Sequence, residues 1–283
     1  MRFRCIITIV SICFSTVCFS QIEPMETLYP VPTRIKMDLP EGIKYCVEWV
    51  VTPNGEKSAT MYWFNRRGYL VKESTFADYN NIDSSNAYYR YTYDVNNLLI
   101  SSNLYKGDNS LLGISLCHYD KFGHLVKVEE QDNGICKVFS PLFDNQTGLM
   151  TSMRCEIVSG VPDNNADYYY YYPATVRFKY DENKRLVERV DKTQSSLEGH
   201  NEIFIVTKYG YNDKGLVSYE SISYYDRQED VRADMSFSHT LYEYSYEFVI
   251  DGVWDKRIRH LSVVYQADAE GDEVTYRTFS FYD

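Results

Sequence analysis

Basic residues are in the minority in this sequence, with 29 Lys and Arg against 40 Asp and Glu and a formal charge of −11 at pH 7. That balance excludes nucleic acid and anionic membrane surfaces as expected partners, because both are held through clustered cations. Histidine is scarce as well, with five in the chain. None falls in a His-Glu-x-x-His or paired metal spacing, so no metal site is expected. There is no Gly-x-Ser-x-Gly elbow, phosphate loop or dinucleotide fingerprint. Neither a cofactor nor a catalytic residue is assigned. After residue 20 no stretch is apolar enough for a spanning helix, which needs about 20 residues. Amphipathic helical periodicity is missing too.

The start of the chain has its own character. Met1-Arg2-Phe3-Arg4, an apolar stretch from Cys5 to Phe19, and Ser20 before Gln21 read as a secretory signal peptide over residues 1–20. The expected location is extracytoplasmic: periplasm, cell surface or medium. Without Arg2 and Arg4 the balance is 27 − 40 = −13. Residues 21–42 carry Pro24, Pro30, Pro32 and Pro40 and read as an extended lead-in. Residues 43–283 read as one repeat domain.

What the sequence has in abundance is tyrosine: 28 Tyr with 14 Phe favour strands over helices. The organising stretch is Tyr119-Asp120-Lys121-Phe122-Gly123-His124-Leu125, and it recurs. An aromatic, an Asp or Asn, a Gly three positions on and then a large apolar residue describe a turn between two strands. The Asp side chain bonds a backbone N–H two residues ahead, and Gly supplies positive φ. Further copies begin at Phe64, Tyr93 with Asp94, Phe143 with Asp144, Tyr180 with Asp181, Tyr211 with Asn212 and Gly215, and Phe248. In the copy at Phe143 the Gly is displaced by one. The copy at Tyr180 has lost it, and the copy at Tyr211 reads as one residue short. The chain stops on Tyr282-Asp283, where an eighth copy would begin.

The expected fold is all-β: an up-and-down meander of about 16 antiparallel strands. The short repeat turns lie along one edge and variable acidic connections along the other. Twisted sheets rarely exceed about 10 strands without curling or closing. The expectation is therefore a curved, twisted sheet or open shell, with aromatics on its concave side.

The copies at Tyr93-Asp94, Tyr119-Asp120, Tyr180-Asp181 and Tyr211-Asn212 resemble the YD-repeat (Rhs-type) family of β-hairpin repeats. The cut before Gln21 looks like those of exported Bacteroidetes-type proteins. The resemblance implies a hairpin ribbon in an extracytoplasmic setting, with carbohydrate binding or wall association.

The leading functional reading is an exported, non-enzymatic binding or scaffolding module of the cell envelope, with a glycan or an envelope protein as partner. Its candidate aromatic surface is Tyr168, Tyr170, Tyr172, Tyr91, Tyr209 and Tyr246, since aromatic faces stack on sugar rings. One alternative is an outer-membrane β-barrel, which strand number and export allow. Against it, Arg185 to Lys192 carries charge on both faces of its strand, so a soluble protein is expected. A second alternative is a glycan-acting hydrolase using loop carboxylates. Asp163 to Asp167 matches half of a calcium loop, and Cys117 beside His118 belongs to opposite strand faces.

Four cysteines follow residue 20: Cys46, Cys117, Cys136 and Cys155. Cys136 and Cys155 are symmetric about the turn near Asn145-Gln146, which permits a disulfide in a regular hairpin, whereas a bulge from the displaced Gly148 would shift the register by one and put the thiols on opposite faces.

Overall fold

The repeat turns fold as their chemistry dictates. In the computed structural model, Asp120 Oδ1 accepts hydrogen bonds from the Phe122 and His124 N–H groups at 2.8 and 2.9 Å. Gly123 sits at φ +86° and donates its N–H to the Asp120 carbonyl. Asn65, Asp94 and Asn212 repeat this arrangement. Where Gly is missing, Asn97 and Lys184 take the left-handed backbone at φ 66° and 61°. Lys184 does so against its own preference, held between Asp181 and Arg185, which bond through both backbone and side chain. The turn at Asp144 is one residue wider, and the Gln146 and Thr147 N–H groups bond its carboxylate. The turn at Asn212 is not short after all: Val217, not Leu216, occupies the apolar position and faces Tyr211.

The described residues are 37, 39–76, 87–132, 134–159, 171–195, 202–250, 253–263 and 271–282. They form β1 (Ile43–Val51), β2 (Lys57–Phe64), β3 (Leu70–Phe76), β4 (Ala87–Tyr93), β5 (Leu99–Lys106), β6 (Leu111–Tyr119), β7 (Leu125–Asp132) and β8 (Ile135–Phe143). The second half holds β9 (Met150–Ser159), β10 (Tyr171–Tyr180), β11 (Leu186–Ser195), β12 (Ile203–Tyr211), β13 (Val217–Tyr225), β14 (Ser238–Ile250), β15 (Val253–Val263) and β16 (Gly271–Phe281). One short helix, α1 (Gln228–Ala233), interrupts the β13–β14 connection, where no helix was expected.

Every strand pairs antiparallel with its sequence neighbours, and β1 pairs with β16 to close the sheet into a barrel. This corrects the expectation of a curved sheet or open shell. The physical reason lies at the two chain ends. β16 and β1 meet with Phe281 opposite Ile43 and a register shift between Ile43 and Tyr45. Tyr282 N–H then bonds the Gly42 carbonyl, and Gly42 stands at φ +73°. The seam thus rebuilds a repeat turn from two separate ends, and no edge is left unpaired.

Each repeat hairpin carries one bulge just after its turn. Tyr119 faces Leu125 while His118 faces Lys127, so Val126 has no partner and is 48% exposed. The extra residue sends positions three apart, such as Leu125 and Val128, to the same face. The same shift recurs in the hairpins after β2, β4, β8, β10, β12 and β14.

Tyrosine hydroxyls tie neighbouring hairpins together at this end. Tyr93, Tyr119, Tyr180, Tyr211 and Tyr246 donate to the carbonyls of Leu70, Leu99, Met150, Leu186 and Val217 at 2.7–3.0 Å. Tyr282 donates across the seam to the Phe64 carbonyl. Phe143 lacks the hydroxyl to join them.

Of the two courses open to Cys136 and Cys155, the structure takes the one without a bridge. Bulges at both ends of the β8–β9 ladder move the register, so Cys155 faces Phe139 and Cys136 faces Ser159. All four cysteines are free thiols. Cys136 and Cys155 lie on opposite faces, and no bridge spans them.

The turn carboxylates make the fold acid-sensitive. Backbone N–H groups of His124 and Phe122 hold Asp120 below its ordinary pKa, and Thr147 does the same for Asp144. Asp181, despite some desolvation, is brought down by Arg185. A depressed folded pKa stabilises above the unfolded value of about 3.9, and the gain is lost as pH falls through the folded value. The thermal midpoint is therefore expected to drop below about pH 4. A triple Asp120→Asn, Asp144→Asn, Asp181→Asn variant, which keeps each turn acceptor, is expected to drop less steeply. Parallel pH profiles for the two proteins would remove the turns from this role. Separately, Tyr119→Phe is expected to cost about 1 kcal/mol in chemical denaturation, the net worth of one hydrogen bond.

Candidate functional site: the inner wall of the barrel

Cross-strand partners share a face, so the pairing register sorts the wall into two sides. One side carries Cys46, Val128, Val176, Trp254 and Thr275, all 0–1% exposed. The other carries Arg154 and Glu156, at 72% and 58% side-chain exposure. The first is the crowded inner side and the second faces out.

The repeat's apolar position builds the inner floor. Ile43, Leu70, Leu99, Leu125, Met150, Leu186, Val217 and Trp254 are all buried, one for each repeat turn and one for the seam. They form a ring at the repeat-turn end, beside the tyrosine hydroxyl bonds. The lead-in reaches this interior, with Met37 and Leu39 buried against the same cluster.

Beyond the ring the inner wall has two arcs. From β5 to β10 it is mostly apolar: Leu104, Cys117, Val128, Phe139, Met153, Cys155 and Val176 are buried there, with Glu130 opposite Lys137 as the charged pair on the same face. From β11 round through the seam to β3 it is charged and tyrosine-rich. Arg189 pairs with Asp191 at 2.9 Å, Arg259 with Glu273 at 2.6 Å and Arg277 with Glu48 at 2.6 Å. Glu73 accepts from the Tyr91 hydroxyl and Glu220 from the Tyr244 hydroxyl. Arg277 lies over the Trp254 ring and also donates to the Met37 carbonyl. Arg257 approaches the same ring at 5.3 Å.

Of the expected aromatic surface, Tyr91, Tyr209 and Tyr246 belong to this inner wall and not to an outer platform. The Tyr91 and Tyr246 hydroxyls are engaged, and Tyr209 is 6% exposed. Tyr168 and Tyr170 lie outside the described residues, as do Asp163 to Asp167. Tyr172 is in β10, facing Gln194 in register. The repeat-turn residues Asp94, Asp120, Gly123, Asp144, Asp181 and Gly215 are structural, closing turns at one rim. Cys117 points in and His118 points out toward Glu129, so they form no nucleophile pair. Among the described residues, no three His, Cys, Asp or Glu side chains gather to hold a metal ion. The charged inner arc was not singled out from sequence. Its signal was the +3 spacing after each turn, as in Leu70–Glu73, Leu186–Arg189, Val217–Glu220 and Trp254–Arg257.

No protein-family model matches the chain, nor does any curated protein sequence. Among solved structures it is similar to the crystal structure of a porin-like protein from Bacteroides uniformis ATCC 8492. The likeness covers 91% of this chain and all of that one, at 11% identity and a TM-score of 0.49. It concerns overall shape alone. The resemblance to the YD-repeat (Rhs-type) family does not stand, because the sheet is closed where that family's ribbon was to stay open.

The Glu48–Arg277 pair gives a test of the seam. Removing one partner of a buried pair costs about 3–5 kcal/mol, because the other charge stays buried alone. Glu48→Ala is expected to lose that much in chemical denaturation. The double change Glu48→Leu with Arg277→Met is expected to lose far less. Equal losses would mean that the pair is not what holds the seam.

Proposed function

We propose that the protein works as an exported, closed β-barrel of the outer-membrane class, in place of an open binding ribbon. The observation that carries this reading is closure of sixteen antiparallel strands in one meander. An even strand number, uniformly short turns at one rim and connections of mixed length, several of them longer, at the other fit that class. The leader at residues 1–20 supports an extracytoplasmic location. A glycan or an envelope protein is kept as the proposed partner, and the tyrosine-rich inner arc is then its place of contact.

One observation favours a second reading, in which the same barrel stands in water within the envelope. The outward positions carry Arg90, Lys127, Glu129, Arg154, Glu156, Arg177, Lys208, Glu243 and Glu247 in mid-wall strands, most of them exposed. A Lys or Arg facing lipid at the bilayer midplane costs about 2–4 kcal/mol, and several strands would bear that cost together.

Fractionation of cells exporting the full chain tests both readings. The outer-membrane reading expects the protein to stay with outer membranes through alkaline carbonate washing. It also expects the purified barrel to need detergent. The water-borne reading expects a processed protein that is released with the periplasm and stays monodisperse without detergent. An unprocessed chain retained in the cytoplasm would overturn both.

A further inference from the structure

α1 does not hang free on the rim; it is folded back onto the outer wall. Tyr225 donates its hydroxyl to Asp234 at 2.8 Å, and Asp234 ends the helix in the left-handed conformation at φ 54°. Phe237 N–H returns to the Tyr224 carbonyl. Between this anchored helix and strands β10–β12 lies a cavity of about 300 Å³. That volume is at the lower end of the range for small-ligand sites.

Its floor and rim differ in chemistry. Val190, Phe204 and Val231 supply apolar surface and belong to one packed cluster under the helix. The rim carries Arg177, Lys179 and Arg232, with Glu188 as its single carboxylate. Lys179 and Glu188 face each other across β10 and β11, so they offset one another. Arg177 and Arg232 are exposed and form no ion pair among the described residues. A cavity with a surplus of cations stands out on a chain whose formal charge is −11.

We propose that this cavity binds a carboxylate with an apolar body of about ten heavy atoms, a medium-chain monocarboxylic acid. A guanidinium matches a carboxylate through two parallel N–H donors, which a hydroxyl cannot reproduce. The apolar tail would lie on Val190, Phe204 and Val231, displacing water from a surface that already sits beneath the helix. The site lies on the outer wall, away from the inner wall on which the barrel reading places its contacts, and goes beyond that reading.

The test uses the purified full-length mature protein and calorimetric titration with decanoate below its aggregation concentration. Decanol and acetate serve as the apolar-only and charge-only probes. Saturable one-site binding of decanoate, at least tenfold tighter than either control, is expected. Arg177→Gln combined with Arg232→Gln is expected to weaken it about tenfold, and Val231→Trp, which fills the cavity, to abolish it. The Arg variants alter exposed side chains and leave the packed cluster intact, so they keep the test decisive if the Trp variant misfolds. Decanol binding as tightly as decanoate, or decanoate affinity unchanged in the Arg177 and Arg232 variant, would overturn the proposal.

Discussion

The rest of the structure depends on the pairing of its two ends. A meander of sixteen strands has two exposed edges unless the first and last strands find each other. Here they do so by copying the repeat: the β1–β16 seam has the same register shift, with Gly42 in the left-handed conformation and Tyr282 closing the backbone turn. Seven covalent turns thus become eight structural ones. Loss of the seam would expose two long ladders of unpaired backbone groups, the usual route to edge-to-edge association.

A single bulge per hairpin then decides what the interior contains. In a plain strand, residues three apart point to opposite faces. The bulge after each turn brings both the apolar residue and its third successor inward, so one ring of side chains is always apolar and the next is free to vary. That second ring is Cys46, Glu73, Ser102, Val128, Met153, Arg189, Glu220 and Arg257. Its variation splits the inner wall into an apolar arc and a charged arc. On the charged side most ions are paired across adjacent strands or along one, which limits the desolvation penalty of an inward charge.

The outward wall raises the opposite issue. Its charges pair locally, as in Lys127 with Glu129 and Lys256 with Glu247, and its aromatic residues are interleaved with cations. Lys72 sits between Trp63 and Tyr88, at 4.6 and 4.8 Å from the ring centroids. Such ladders lay charge-bearing stems over Trp63 and Tyr88, while Ile100, Val126, Leu142 and Val158 stay exposed on the same wall. α1 covers an apolar patch over Phe204, Val206 and Tyr225. The wall chemistry, more than the strand count, is what the surroundings of the barrel must match.

Local chemistry made the turns legible in the sequence alone. Asp or Asn followed by Gly three residues later has few ways to satisfy its backbone, so Asp120–Gly123 and Asn212–Gly215 could be placed without any structure. Strand number and meander order followed, because consecutive hairpins leave no other topology. Three things escaped. The choice between a Cys136–Cys155 bridge and thiols on opposite faces stayed open, because a single bulge decides it and the displaced Gly148 only hints at one. The charged inner arc was hidden for the same reason: the +3 spacing looks like an error in a period of two. Closure itself depends on residues 240 positions apart, Gly42 and Tyr282, meeting in space. The sequence by itself determined the turns, since each is settled within five residues; only the tertiary structure decided the barrel, since closure is a property of all sixteen strands at once.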